Sequence, residues 1–317
     1  MVFDWTQTRG SEGLSVVALA VASLPAGPLA LAATTSGLFI SKDEGQNWQR
    51  APSAFGTIPL LAVCLSPSYE SDRLAFVGTK GGIWYTHNFT EWALSRLPCQ
   101  EVAVISLVAA PNFSEEGVLL AGTLGDGVLR SGDRGVSWQA WNFGLLDLGV
   151  LGIAISPAFA LDQTALVATA TGIFRTTNGG RAWREAVVPK DGGPVLALAF
   201  SPNYRDDDLI LATTEEGVVL RSLDAGHTWV SLEMPCAGRA LNALVFSSHF
   251  VPDAFIILGA GNSVYLSSDG GCNWETLHAA HTVLSLVAGT GANGCPFVLA
   301  GLEEGGIWRG VWDPVRT

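Results

Sequence analysis

Lysine, methionine and charge are scarce in this chain of 317 residues, which has three lysines, two methionines and 15% charged residues in all. With 14 dispersed arginines and a formal charge of −12, it lacks the clustered basic surface that nucleic-acid binding requires. Cysteine is sparse too: Cys64, Cys99, Cys236, Cys272 and Cys295 are odd in number, contain no CxxC pair and match no zinc or disulfide spacing. They read as isolated reduced thiols, which places the chain in the cytoplasm. No cofactor and no metal are expected, since His278 and His281 would need further ligands from elsewhere.

A long unbroken apolar run is also missing, although one stretch imitates it. Residues 13–41 carry no charge, and residues 29–33 look like a signal-peptidase site. Pro25, Gly27 and Pro28 interrupt the run, whereas a membrane helix needs about 20 continuous apolar residues. A signal peptide needs a basic start, and Arg9 is offset by Asp4 and Glu12. Neither membrane insertion nor a leader is expected. What the chain does have is 48% hydrophobic residues, 37 glycines and 11 tryptophans. That mixture excludes disorder and favours strands joined by tight turns around a large core.

A repeat organises these residues. Six segments share the pattern Ser/Thr-x-Asp-x-Gly-x-x-Trp or a worn version of it, from Ser41 to Trp48 in the first and from Ser267 to Trp274 in the last. Its acidic or amide position recurs as Asp43, Asn88, Asp133, Asn178, Asp224 and Asp269, at intervals of 45, 45, 45, 46 and 45 residues. Its tryptophans are Trp48, Trp92, Trp138, Trp183, Trp229 and Trp274. Upstream of each box lie an apolar run, a polar turn such as Ser201-Pro-Asn-Tyr204, a second apolar run, a tight turn and a third run. Four strands in about 45 residues make a β-propeller blade.

The sixth box is followed by three more strand-like runs, and Asp4-Trp5-Thr6-Gln7 resembles Asn47-Trp48-Gln49-Arg50. The first strand therefore completes the last blade, which removes free sheet edges. The expectation is one all-β domain over 1–317, a seven-bladed propeller of four-stranded antiparallel blades. Their approximate spans are 15–52, 60–97, 104–142, 150–188, 195–234, 241–279 and 283–313 plus 2–8.

Within the box, the Asp or Asn side chain can accept turn N–H groups, the Gly supplies a positive φ and the Trp packs between blades. These residues are read as structural. The box resembles that of the Asp-box, or BNR-repeat, propellers, and the resemblance covers essentially the whole chain. That family includes sialidase-like, sortilin-like and photosystem II assembly factor-like propellers. Sialidases imply a central arginine triad with a Tyr–Glu pair. The strands expected at the axis, 16–23, 60–66, 104–109, 151–156, 195–201, 241–247 and 283–287, contain no charged residue and no tyrosine. Arg130, Arg175, Arg221 and Arg309 recur at one site on the third strand, where pairing with carboxylates between blades is expected. Catalysis is therefore not expected. Photosystem assembly factors imply a basic arginine patch, from which an acidic chain with dispersed arginines departs.

Alternating connections put the boxes and the Ser-Pro turns on one face. The opposite face carries Asp126, Glu215, Glu216, Glu303, Glu304, Asp147, Asp191, Arg239, His278 and His281, with Trp141, Asn142 and Phe143 as an aromatic extension. The favoured reading is a non-catalytic scaffold or adapter holding a protein partner with a basic surface or loop. The alternative is a glycoside hydrolase or carbohydrate-binding protein acting through loop carboxylates.

Overall fold

The computed structural model describes residues 2–52, 58–189, 192–232, 234, 238–247, 255–279 and 281–313. They form seven four-stranded antiparallel sheets, the blades of a β-propeller. Blade 5 is representative: Val195–Phe200 is innermost, followed outward by Ile210–Thr214, Val219–Ser222 and Val230–Leu232. The inner strands of blades 1 to 7 are Val16–Ala22, Ala62–Leu65, Val104–Ala109, Val150–Ile155, Val195–Phe200, Leu241–Phe246 and Val283–Thr290. Each packs beside the next, and the seventh packs beside the first.

The N-terminal strand closes the ring. Val2–Gln7 is the outer strand of blade 7, antiparallel to Gly306–Asp313, with Trp5 opposite Gly310 and Thr6 opposite Arg309. Outer strands of other blades begin one residue beyond the box Trp, and Trp5 takes that Trp position without a box around it. One indole therefore belongs to each blade boundary: Trp48, Trp92, Trp138, Trp183, Trp229, Trp274 and Trp5 each pack in a different inter-blade cluster. Trp48, Trp138, Trp183 and Trp229 are buried, and burying roughly 150–250 Å² per indole stabilises those four boundaries by roughly 4–6 kcal/mol each before entropy is counted.

Closer to the axis the boundaries are sealed by aliphatic residues. Val16, Leu60, Val104, Val150, Val195, Leu241 and Val283 are all buried and pack on the preceding blade. At four boundaries the preceding blade makes room with a glycine, Gly78, Gly122, Gly259 or Gly301: a Cβ on Gly78 would stand 2.6 Å from Val104 O, and one on Gly122 would stand 2.7 Å from Val150 Cγ1. In six inner strands the register shifts just after this residue. Side chains of neighbouring strands take up carbonyls there: Ser285 Oγ donates to Val16 O at 3.0 Å and Thr213 Oγ1 to Leu241 O at 2.8 Å. In blades 1, 3, 5 and 7 the rest of the inner strand is mainly aliphatic and mostly half-buried around the axis.

One local expectation is corrected. The polar turn after the inner strand is a single helical turn in blades 2 to 5: Tyr69–Asp72, Phe113–Glu116, Phe159–Asp162 and Tyr204–Asp207. A buried aromatic begins each one, and a residue in the left-handed conformation ends it: Arg73, Gly117, Gln163 or Asp208. Four residues are too few for a helical period to show in sequence.

Candidate binding face

The box is a hydrogen-bonded knot. Ser41 Oγ donates to Asp43 Oδ1 at 2.7 Å and accepts Gly45 N at 3.0 Å; Asp43 Oδ1 accepts Asn47 N at 2.9 Å, and Trp48 Nε1 donates to Gly45 O at 3.0 Å. Two successive residues are left-handed, Glu44 at φ 62° and Gly45 at φ 80°. The Ser and Asp bonds repeat at Asp133, Asp224 and Asp269, and the indole bond repeats at Trp138 and Trp229. Asn178 and Asn88 accept through their amide oxygens, the latter in a box one residue shorter. The bonds from Asn273 N–H and its side chain hold the Asp269 carboxyl down at about 2. At Asp224, desolvation opposes, but bonds from Thr228, Ser222 and His227 bring it to about 2 as well.

The box also stitches blades together. Arg9, Arg96 and Val187, just past one outer strand, bridge Asn47, Ser137 and Thr228 in the next blade's box. Both carboxylate oxygens of Asp43, Asp133, Asp224 and Asp269 have a partner within the box.

In blades 3 and 4 the box lies beside the helical turn of its own blade: Arg134 N donates to Gly117 O and Gly179 N to Gln163 O. The opposite face is formed by the turns between second and third strands, tied to the blade links through Leu124 N to Ala103 O, Glu215 N to Pro194 O and Glu303 N to Thr282 O. On it Glu215, Glu216, Glu303, Glu304, Arg239 and His281 are exposed. Arg239 reaches Asn262 Oδ1 at 3.4 Å. Glu304 N is held by Ser15 Oγ, so its turn is fixed while its carboxylate is free to meet solvent. Asp126 and Asp147 are half-buried. Asp126 Oδ1 lies 3.6 Å from Cys99 Sγ, and Asp147 accepts from Gly149 N and Thr171 of the neighbouring blade. Asp191 and the side chain of His278 lie outside the described residues.

Trp141 does not join this face. Its ring stacks beneath the Arg130 guanidinium, 4.4 Å away, with Arg181 of the fourth box 5.8 Å distant. The indole fills the outer groove between blades 3 and 4, because its backbone N–H is committed to Val128 O and the strand register aims the side chain sideways. The recurrent arginines likewise stay at the rim. Arg309 pairs with Glu44 at 2.7 Å, whereas Arg175 donates to Ala225 O, Arg221 reaches Cys272 Sγ and Arg130 meets the indole. Carboxylate pairing is thus the exception among the four.

Sequence reading missed an apolar component. Leu124 (54% exposed), Leu146 (79%) and Leu148 (41%) project from the blade 3 turn and the link after it, next to Asp126 and Asp147. Gly127 N donates to Leu148 O, which holds turn and link together. The signal was available in Leu145-Leu146-Asp147-Leu148, four non-strand residues with three leucines, but sequence alone could not tell that only Leu145 is buried. Among the described residues no group of three or more His, Cys, Asp or Glu could hold a metal ion, and no helix is long and apolar enough to cross a membrane.

No protein-family profile matches the chain, and no curated protein matches it in sequence. Solved structures do resemble it. An ancestral GH74 enzyme superposes with a TM-score of 0.76 at 17% identity, over 96% of this chain and 46% of that one. YCF48 from Cyanidioschyzon merolae superposes with a TM-score of 0.69 at 14% identity, over 99% of both chains. YCF48 bound to a D1 peptide gives a TM-score of 0.70 at 14% identity. The chain therefore spans less than half of the GH74 enzyme and essentially all of YCF48. At these identities the likeness is one of fold.

Proposed function

We propose that this propeller is a non-catalytic interaction module that holds a polypeptide partner on its acidic loop face. The observation that carries the reading is the pairing on one face of exposed carboxylates, Glu215, Glu216, Glu303 and Glu304, with exposed leucines, Leu124, Leu146 and Leu148. Clustered exposed leucines mark contact surfaces, and a one-signed rim selects a partner of opposite charge. A basic segment with apolar side chains fits both. The Asp-box resemblance and a peptide-bound YCF48 of matching length support the reading. Carbohydrate hydrolysis has the GH74 likeness behind it, but that chemistry needs two facing carboxylates, and the inner strands contain none.

The test is capture from source-cell lysate followed by titration of the identified partner against purified protein. Replacing all four glutamates with Gln should weaken binding at least tenfold and flatten its salt dependence. Replacing the three leucines with Ser should weaken it independently. Release of reducing ends from a glycan panel, lost in the same variants, would sink the proposal in favour of hydrolysis.

A further inference from the structure

The repeat lets one blade boundary report on the next. At blades 3 and 4, Trp141 lies between Arg130 and the box residues Gly180 and Arg181, with a Gly180 Cβ position 3.5 Å from its ring. The strand register makes Ala186 the equivalent of Trp141: Trp141 N donates to Val128 O as Ala186 N donates to Ile173 O. By the same register Arg175 corresponds to Arg130, Gly226 to Gly180 and His227 to Arg181. With Ala186 in place of the indole, the groove between blades 4 and 5 is an open cavity of about 350 Å³ lined by Arg175, Asn178, Arg184, Ala186, Gly226 and His227. Ligand pockets begin at about 300 Å³.

We infer that this groove is a binding subsite for an aromatic side chain of a partner polypeptide, seated as Trp141 is seated one blade earlier. Arg175 is prepared for the role. Its Nε donates to Ala225 O at 2.6 Å, an in-plane bond that fixes the guanidinium and leaves a face for a ring. Three related grooves lack this combination: Ile40 replaces the arginine at blades 1 and 2, Glu44 already pairs with Arg309 at blades 7 and 1, and Leu232 stands against Gly271 beside Arg221 at blades 5 and 6. The subsite lies on the rim, and its existence does not depend on what the acidic face holds.

The test uses the full chain with labelled histidines, His227 being one of five, and follows imidazole NMR shifts. N-acetyl-L-tryptophanamide should shift His227 saturably, in the millimolar range, and N-acetyl-L-leucinamide should not. Ala186→Trp should abolish the shift, Arg175→Gln should weaken binding several-fold, and Trp141→Ala should raise the number of probe molecules bound from one to two. An unmoved His227, an equal response to the leucine probe, or unchanged stoichiometry in Trp141→Ala overturns the inference. The probe comparison and Trp141→Ala decide it even if Ala186→Trp does not fold.

Discussion

A carboxylate that accepts four hydrogen bonds within eight residues is a local device, and its consequences are local and electrostatic. Asp224 and Asp269 are held at about 2, below the ordinary 3.8, because the folded turn bonds to the charged form. A depressed value means that the stabilising contribution is complete above about pH 4 and disappears as pH falls through about 2. Asn88 and Asn178 do the same mechanical work without a charge. The double variant Asp224→Asn, Asp269→Asn should therefore lose less thermal stability than wild type between pH 4 and pH 2. Parallel melting-temperature curves against pH, steep for wild type and flatter for the variant, check this; curves of equal slope would remove the boxes from the acid response.

Between neighbouring strands, packing at the axis leaves no room. Gly78 in the second strand of blade 2 sits against the Val104 carbonyl of blade 3, a backbone atom that cannot rotate away. Gly78→Ala should cost about 1–3 kcal/mol, the range for overpacking a filled core. Gly125 has nothing within 4 Å of its Cβ position and no left-handed φ. Gly125→Ala should stay within about 0.5 kcal/mol of wild type. Urea unfolding of the two variants makes the comparison, and a Gly78→Ala midpoint equal to that of Gly125→Ala would refute the close-approach account.

For the whole molecule, closure is the dominant constraint. Val2–Gln7 covers the edge of Gly306–Asp313 and brings Trp5 into the boundary between blades 6 and 7. Deleting residues 1–7 should bare that edge and remove one of seven indole seams. Lower melting temperature and concentration-dependent association in light scattering are expected, because unpaired edges recruit other strands. A monodisperse deletion variant with unchanged melting would mean that the ring does not rely on this strand.

The sequence by itself determined the blade number, the turn chemistry and the closing strand, because a 45-residue period and a Ser-x-Asp-x-Gly-x-x-Trp knot are written in consecutive residues. Even Trp5 was recognisable by its likeness to Trp48. It also set the turns between second and third strands opposite the boxes, since alternating connections sort turns to one side or the other. Tertiary structure alone decided what meets across blades. Trp141 lies in a rim groove and not on the acidic face, Leu124 of the blade 3 turn and Leu146 and Leu148 of the link after it stand exposed while Leu145 is buried, and Arg175 faces a cavity where Arg130 faces a ring. The physical reason is range. A turn satisfies its hydrogen bonds among near neighbours, whereas a boundary is filled by side chains one blade apart, and a single exchange of Trp for Ala turns packing into a cavity.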